Sequence, residues 1–392
     1  MNILVLDTIH GGEELARALR PFADRVDAVD VYRCGSGVTP AVARTRSYDL
    51  VIAPVHLVPT YPLLRQGPRV ISHHDAVRWV LGGRTPSPLV EITGARGKTT
   101  TAHALAHLMP GEGVLHTSQG TRHVPEGTVL WHRSITPASL IDAATCAVER
   151  GWWCIAEESL GVTAAGDMAI LTSTGDYPIA GGKRRALDVK LESLRQADRV
   201  LVPPGCDGVD GAVTIDQLAT VDGSTCTCSW NRHYCFENPL LCHDAYRLPL
   251  MLAAGAACML GLDPTPLSGF RALPGRLSVH RENGLLVVDN ANSGACATTA
   301  VEAAAVARKE GFSGPMTLVI GADARTVCEG FSAGDIATAV DRIRPDRVVV
   351  VGDERPDLPV PVTVASSFQE GTRIARETTP EGCIILSVKT WR

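Results

Sequence analysis

Aromatic side chains are scarce in this 392-residue sequence, at 5%, and no apolar run is long enough to cross a bilayer, so it does not read as a membrane protein. Positive charge is not in excess either. Lys and Arg number 37 against 42 Asp and Glu, a net −5 with both signs interspersed, which excludes the cationic face that neutralises a nucleic-acid backbone. Paired C-x-x-C knuckles are missing, although cysteines number 12. Without an export signal they read as reduced thiols of a cytoplasmic protein and not as a disulfide framework. The start, "MNILVLDTIHGGEEL", lacks a cationic segment and reads as a first strand, not a signal peptide. Low-complexity tracts and short repeats are also absent, and 45% hydrophobic with 20% charged residues is a globular composition.

What is there is an alternation of strand and helix signals, and the length suits two or three domains at roughly 100 to 200 residues each. Residues 1–88 run through "NILVLD", the helical "GEELARALRPFA", "RVDAVDVY", "YDLVIAPV" and "RVIS". That order predicts a parallel sheet with crossover helices. The turn after its first strand, "DTIHGGEE", is not G-x-G-x-x-G, so a Rossmann-like fold is expected here without a dinucleotide. A glycine- and proline-bearing linker, "GGRTPSPLV", leads into a second α/β region, 89–274. A third, 275–392, holds "GLLVVDNA", "MTLVIGA", "DRVVVVGD", "VPVTVAS" and "GCIILSV", apolar runs of the kind buried on both faces of a parallel sheet. Three successive α/β domains are the expectation. Within the second region Cys226, Cys228, Cys235 and Cys242 lie close together. Their spacing is not that of a structural zinc site, and "STCTCSW" alternates as a half-buried strand does.

The chemistry concentrates in "EITGARGKTTTAHALAHLM". An apolar strand ends at a glycine turn, and a helix begins with lysine and threonine. Gly94 and Gly97 would let the N–H groups of Gly94, Ala95, Arg96, Gly97, Lys98, Thr99 and Thr100 approach phosphate oxygens at the positive end of that helix. Lys98 would meet the terminal phosphates and the Thr99 hydroxyl would ligate Mg2+. The common phosphate loop is G-x-x-x-x-G-K-[ST], and Ile92 stands where its first glycine would be. This loop is shorter, G-x-x-G-K-T.

That shortened loop resembles the ATP site of the Mur ligases and folylpolyglutamate synthases, and the resemblance runs along almost the whole chain. "SITPAS" is similar to their T-T-P segment, with Thr136 matching. "IAEES" looks like E-x-S, which puts Glu157 at a Mg2+ ligand position. "LPGRLSV" looks like their G-R motif, placing Arg276 near the ATP phosphates, and "VVDNANSG" places Asp289 as the nucleotide-contacting aspartate. Lys190 is the best match to a carbamylated lysine, with Lys183 as competitor, and His243 matches the histidine of H-N-x-x-N. The resemblance implies a substrate domain, a central P-loop ATPase domain and a Rossmann-like ligase domain. It also implies ATP and Mg2+ as cofactors, an acyl-phosphate intermediate, and ADP as product.

Departures accompany the matches. Asp176 is followed by Tyr177 where the family has D-H, which removes the histidine of a second metal site. Asp244 and Arg247 replace two asparagines, and an amino-acid signature is not evident in "GADARTVCEGF", residues 321–331. One branch of the family fits these departures: "DNANSG", "ITGARGKTTT" and the compact length resemble the branch that completes coenzyme F-430 in methanogenic archaea. That branch activates a propionate of a nickel seco-tetrapyrrole, and a carbon of the same molecule closes the ring. A Mur-type amide ligase and a nucleotide-regulated binding protein without catalysis are the other readings. His10, His56, His73 and His74 fall near strand ends of the first region, and His10 and His73 are the candidates there for contact with an anionic substrate. The chain is expected to work as a monomer or homodimer, without nucleic acid or membrane.

Overall fold

Short apolar runs bounded by polar turns set the first sheet. In the computed structural model, which describes residues 1–33, 35–323 and 331–390, its strands are β1 (Asn2–Leu6), β2 (Arg25–Val29), β3 (Leu50–Ala53) and β4 (Val70–Ser72). All pair in parallel in the order β2-β1-β3-β4, with Leu4 flanked by Asp27 and Val51. Helices α1 (Glu13–Leu19), α2 (Pro40–Arg44) and α3 (His73–Leu81) make the crossovers and the exit. A capping box starts α3, in which the Ser72 hydroxyl accepts the Asp75 N–H while the Asp75 carboxylate accepts the Ser72 N–H. Gly82, at φ 52, ends it.

The second sheet has the order β14-β13-β10-β5-β9-β6-β7-β8. Its strands are β5 (Leu89–Thr93), β6 (Gly113–Thr117), β7 (Gly120–Val124), β8 (Val129–Trp131), β9 (Trp153–Glu157), β10 (Met168–Leu171), β13 (Val200–Val202) and β14 (Val213–Thr214). A small ladder, β11 (Pro178–Ile179) with β12 (Arg184–Arg185), lies between β10 and β13 in sequence. The central strand, β5, is wholly buried and runs parallel to β9 and β10, with Ile92 beside Glu157 and Ile170. The β6–β7–β8 edge is antiparallel. Helices α4 (Lys98–Leu108), α5 (Ser139–Arg150) and α6 (Ala186–Leu194) follow β5, β8 and β12. An antiparallel sheet of β15 (Ala219–Asp222), β16 (Thr225–Ser229) and β17 (His233–Glu237) precedes α7 (Asp244–Met259). The alternation read in "STCTCSW" is real: Cys226 and Cys228 are buried on one face of β16, Thr227 is exposed, and Cys235 and Cys242 are exposed.

Division into compact units does not follow the sheets one for one. Residues Met1–Phe270 form one unit and the chain from Arg271 a second. Within the first, Val5, Leu15, Ala76 and Val77 share a hydrophobic cluster with Leu140, Ala143, Ala147 and Cys154, so the first two sheets close over a common core. The second unit is a six-stranded sheet, β18-β19-β23-β20-β21-β22, with α8 (Ala297–Lys309), α9 (Ala333–Ile343) and α10 (Phe368–Thr378). Its strands are β18 (Ser278–Glu282), β19 (Leu285–Asp289), β20 (Met316–Ala322), β21 (Arg347–Val351), β22 (Val362–Ala365) and β23 (Gly382–Lys389). Only β18 is antiparallel to its neighbour. Among the described residues no helix is long and apolar enough to cross a membrane.

Candidate active site

The parallel strands β5, β9 and β10 deliver Gly94, Glu157 and Thr172 to the same end of the sheet, the end where α/β folds bind ligands. Gly94 turns the chain at φ 146, where a Cβ would stand 2.2 Å from the Thr172 hydroxyl oxygen. That hydroxyl donates to the carbonyl of Arg96 at 2.5 Å, locking the loop onto β10. The N–H groups of Ala95 and Arg96 both donate to Ser173 Oγ at 3.0 Å. Gly97, at φ 84, caps α4. Lys98 Nζ lies 3.1 Å from the Gly94 carbonyl and 3.6 Å from Glu157 Oε1. Thr99 Oγ1 donates to Glu157 Oε2 at 2.9 Å, and the Ser118 N–H reaches the same oxygen at 3.1 Å. Glu157 is 3% exposed, so a cation and two donors converge on a carboxylate withdrawn from water. The sequence reading identified Lys98, Thr99 and Glu157 but not Ser118 or Ser173. Ser118 directly follows β6 in "LHTS" and Ser173 stands two residues past β10 in "ILTS", and that position was the available signal.

Lys190 is fully buried on α6, and its Nζ has no hydrogen-bond partner. It stands 4.9 Å from the Tyr177 ring centroid. Burial, with Lys98 as the nearby like charge, lowers its pKa to about 8. Asp176 anchors the start of that helix, accepting the Leu187 N–H at 3.0 Å and Arg185 Nε at 2.6 Å. Lys183, the competing lysine, caps the turn at Ala180–Gly182. His243 stands at the N-cap of α7, and further along that helix Pro249 packs beside Gly97 of the phosphate loop. Asp244 and Arg247, the substituted positions, form a 3.5 Å pair in which Asp244 is exposed. Thr136 is buried, with Oγ1 3.1 Å from Ser139 Oγ, and Gly11 of the first sheet's opening turn abuts it.

The four histidines of the first region separate. His10 and His56 are partly exposed and share the carboxylate of Asp7, at 2.7 and 3.1 Å. His73 is 2% exposed and lies 2.9 Å from the Leu6 carbonyl, which corrects the expectation that it meets a substrate. Its burial lowers its pKa to about 4, so it is a neutral donor tying α3 to β1. His74, equally buried, reaches the Ser159 carbonyl at 3.3 Å.

In the second unit Asp289 ends β19, buried, with Oδ1 accepting the Ala291 N–H at 3.1 Å. Asn292 Nδ2 donates to the Gly275 carbonyl at 2.8 Å, which brings the "DNANSG" loop and the Gly275–Arg276 turn together. Residues 324–330, most of "GADARTVCEGF", lie outside the described residues.

A short glycine loop opening a helix, a buried carboxylate facing its lysine and threonine, and a separate α/β unit carrying a Gly-Arg turn describe a ligase of the Mur type. The fold agrees. The MurF ligase of Thermotoga maritima in complex with ADP is similar at TM-score 0.53 and 14% identity, over 88% of this chain and 85% of that one. A bifunctional folylpolyglutamate synthase/dihydrofolate synthase from Yersinia pestis gives 0.59 and 16%, over 82% and 92%. Within that fold, residues 279–390 match the model for coenzyme F430 synthetase CfbE, C-terminal domain. The coenzyme F(430) synthetase of Methanosarcina acetivorans is 30% identical over 466 aligned positions, spanning 100% of this chain and 99% of the relative. The chain belongs to the coenzyme F430 synthetase family and is an enzyme of the ligase class.

Proposed function

We propose that the chain uses ATP to activate a propionate carboxylate of a nickel-containing seco-tetrapyrrole and closes a carbocyclic ring on it, giving coenzyme F430. The carboxylate oxygen attacks the γ-phosphorus, ADP leaves, and an acyl phosphate forms. A carbon of the same tetrapyrrole then attacks the acyl carbon, inorganic phosphate departs, and that carbon gives up its proton. Without the first step the carboxylate has no adequate leaving group at neutral pH. The observation that carries this reading is the convergence of Lys98 and Thr99 on Glu157 at the mouth of the short glycine loop.

Lys98 is assigned to the terminal phosphates, where its charge would offset that developing on the transferred group. The N–H groups from Gly94 to Thr100 would cradle the remainder. Thr99 and Glu157 offer hard oxygen donors 2.9 Å apart, a donor set that fits Mg2+, and we assign that ion to them. When bound it would neutralise phosphate charge. Arg276 and Asp289 are assigned to the nucleotide, Thr136 and His10 to the tetrapyrrole, and His243 to the wall of the site. Lys190 is a buried amine whose lowered pKa suits it to take up CO2 as a carbamate, and we assign it that role. The enzyme is proposed to act in the cytoplasm, as a monomer or homodimer.

The test is incubation with Mg-ATP and the nickel seco-tetrapyrrole, following phosphate release together with product mass and absorption. Loss of one water from the tetrapyrrole, matched to phosphate released, is the expected result. ADP release that depends on an added amino acid, with the tetrapyrrole unchanged, would instead establish an amide ligase.

A further inference from the structure

Asp7 directly follows β1, with its side chain fully buried and its two oxygens divided between two tasks. Oδ1 accepts the backbone N–H groups of Ile9 and His10 at 3.1 and 3.2 Å, which fixes the turn. Oδ2 faces His10 Nδ1 at 2.7 Å and His56 Nε2 at 3.1 Å. The imidazoles arrive from different elements, the turn after β1 and the loop after β3, and meet edge to face at 4.9 Å. Tyr32 walls the group, edge-on to His10 at 5.6 Å and stacked with His56 at 6.4 Å. All three donor atoms lie within 4.8 Å of one another, and the side chains of His10 and His56 keep 39% and 25% exposure.

We propose that Asp7, His10 and His56 bind a divalent transition metal, through two imidazoles and one carboxylate, at a position open to solvent on one side. Ligands about 2.1 Å from an ion stand roughly 3.0 to 3.4 Å apart, and the carboxylate oxygen lies 2.7 and 3.1 Å from the two imidazole nitrogens, which are themselves within 4.8 Å of each other. Nitrogen donors in the majority select Zn2+, Co2+ or Ni2+ over Mg2+ or Ca2+. Anchoring of the second carboxylate oxygen by backbone N–H groups is the outer-shell support that orients metal ligands. Glu112, His123 and Glu126 also cluster, but Glu112 and Glu126 are half-exposed and their carboxylates solvated, so that group serves as a contrast.

Ligation of a free cation does not rest on the reaction proposed above, whereas ligation of a substrate's metal does and would be the form that the contact of His10 with the tetrapyrrole takes. Imidazole ligation could serve a free cation or the metal of a metallated substrate, and the two are separable. In one arm the full chain, without ATP or tetrapyrrole, is titrated with Co2+ and read by its visible ligand-field bands. One ion per chain, retained against excess Mg2+ and weakened at least tenfold in both H10A and H56A but not in H123A, establishes a free-cation site. In the other arm the nickel seco-tetrapyrrole is titrated. A change in its nickel absorption on binding, lost in H10A while binding persists by tryptophan quenching, assigns the ligation to the substrate's metal. The H10Q and H56Q variants, with circular dichroism as the fold check, replace any alanine variant that does not fold. If neither titration gives a change that the His10 or His56 variants remove, the proposal is wrong. Turnover of the tetrapyrrole in that case would leave the proposed reaction standing.

Discussion

Replacing Lys190 with methionine should make the protein more stable and less active. The side chain is fully buried, with no hydrogen-bond partner at Nζ, and its pKa is lowered to about 8. Against roughly 10.4 in the unfolded chain, the shift corresponds to about 3 kcal/mol of destabilisation at pH 7. Methionine occupies similar volume without the charge. The favourable placement of the ammonium near Tyr177, 4.9 Å away, returns about 0.5–1 kcal/mol that the variant loses. A net gain of about 2 kcal/mol at pH 7 follows. The sign fixes the pH dependence: between pH 8 and roughly 10.4 the unfolded chain holds the proton that the folded one has released, so parent stability rises with pH across that window. The difference between parent and K190M should therefore shrink as pH rises above 8. Urea unfolding of both proteins at pH 7 and pH 9.5 measures it, and ADP formation gives the activity. Both proteins are measured in CO2-free buffer, where Lys190 is the free amine, and K190M less stable than the parent at pH 7 under those conditions would refute the reasoning.

Gly94→Ala places a methyl 2.2 Å from a hydroxyl already bonded to the loop, at a φ of 146, and should cost about 2–5 kcal/mol in thermal unfolding along with loss of nucleotide binding. Glu157→Gln should lower ADP formation by about a hundredfold or more, whereas Glu158→Gln, a residue later, should change stability by less than about 1 kcal/mol. Burial, next to the carboxylate of Glu91, raises the Glu158 pKa well above the ordinary range, so its neutral form resembles the amide. Acid should unfold the protein through His73, His74 and His116, each held neutral by burial with a pKa of about 4. Their unfolded forms take up protons first, so stability falls from about pH 6.5 down to about pH 4, and a titration monitored by circular dichroism should show the loss.

Parallel strands buried on both faces were legible as apolar runs, and so were the helices that cross between them. The β6–β7–β8 edge was not, because Gly113–Trp131 carries histidines, an arginine and a proline on short strands whose pairing depends on a turn at Ser118 and Gln119. Sharing of one core by the first two sheets was equally invisible, since Ala76 and Ala143 look alike whether they face their own sheet or a neighbour's helix. Motif residues on strand ends were readable because a parallel sheet sends consecutive strand ends to one place. His73 was misread for the same reason: it begins a helix at a strand end, but its ring turns back to the Leu6 carbonyl and not outward. Asp7 went unnoticed beside His10, since a carboxylate in a turn gives no sign of burial until the loop holding His56 is folded over it.

The short glycine loop raises a question of physical sufficiency, because a longer loop supplies more N–H groups to wrap a phosphate. Here the neighbouring strand fixes the N–H groups that the short loop does have. Thr172 and Ser173, immediately after β10, hold the Arg96 carbonyl and the N–H groups of Ala95 and Arg96. The absence of a side chain at Gly94 is what lets β10 come that close. The two N–H groups are already aligned on a single oxygen, Ser173 Oγ, so a phosphate oxygen taking its place would find donors fixed before it arrives. Ordering that loop then costs less at binding, since its conformation is set by β10 and not by the nucleotide. On this account the length of the loop and the sequence "LTST" are one feature, and the compact motif is complete only when both strands are counted.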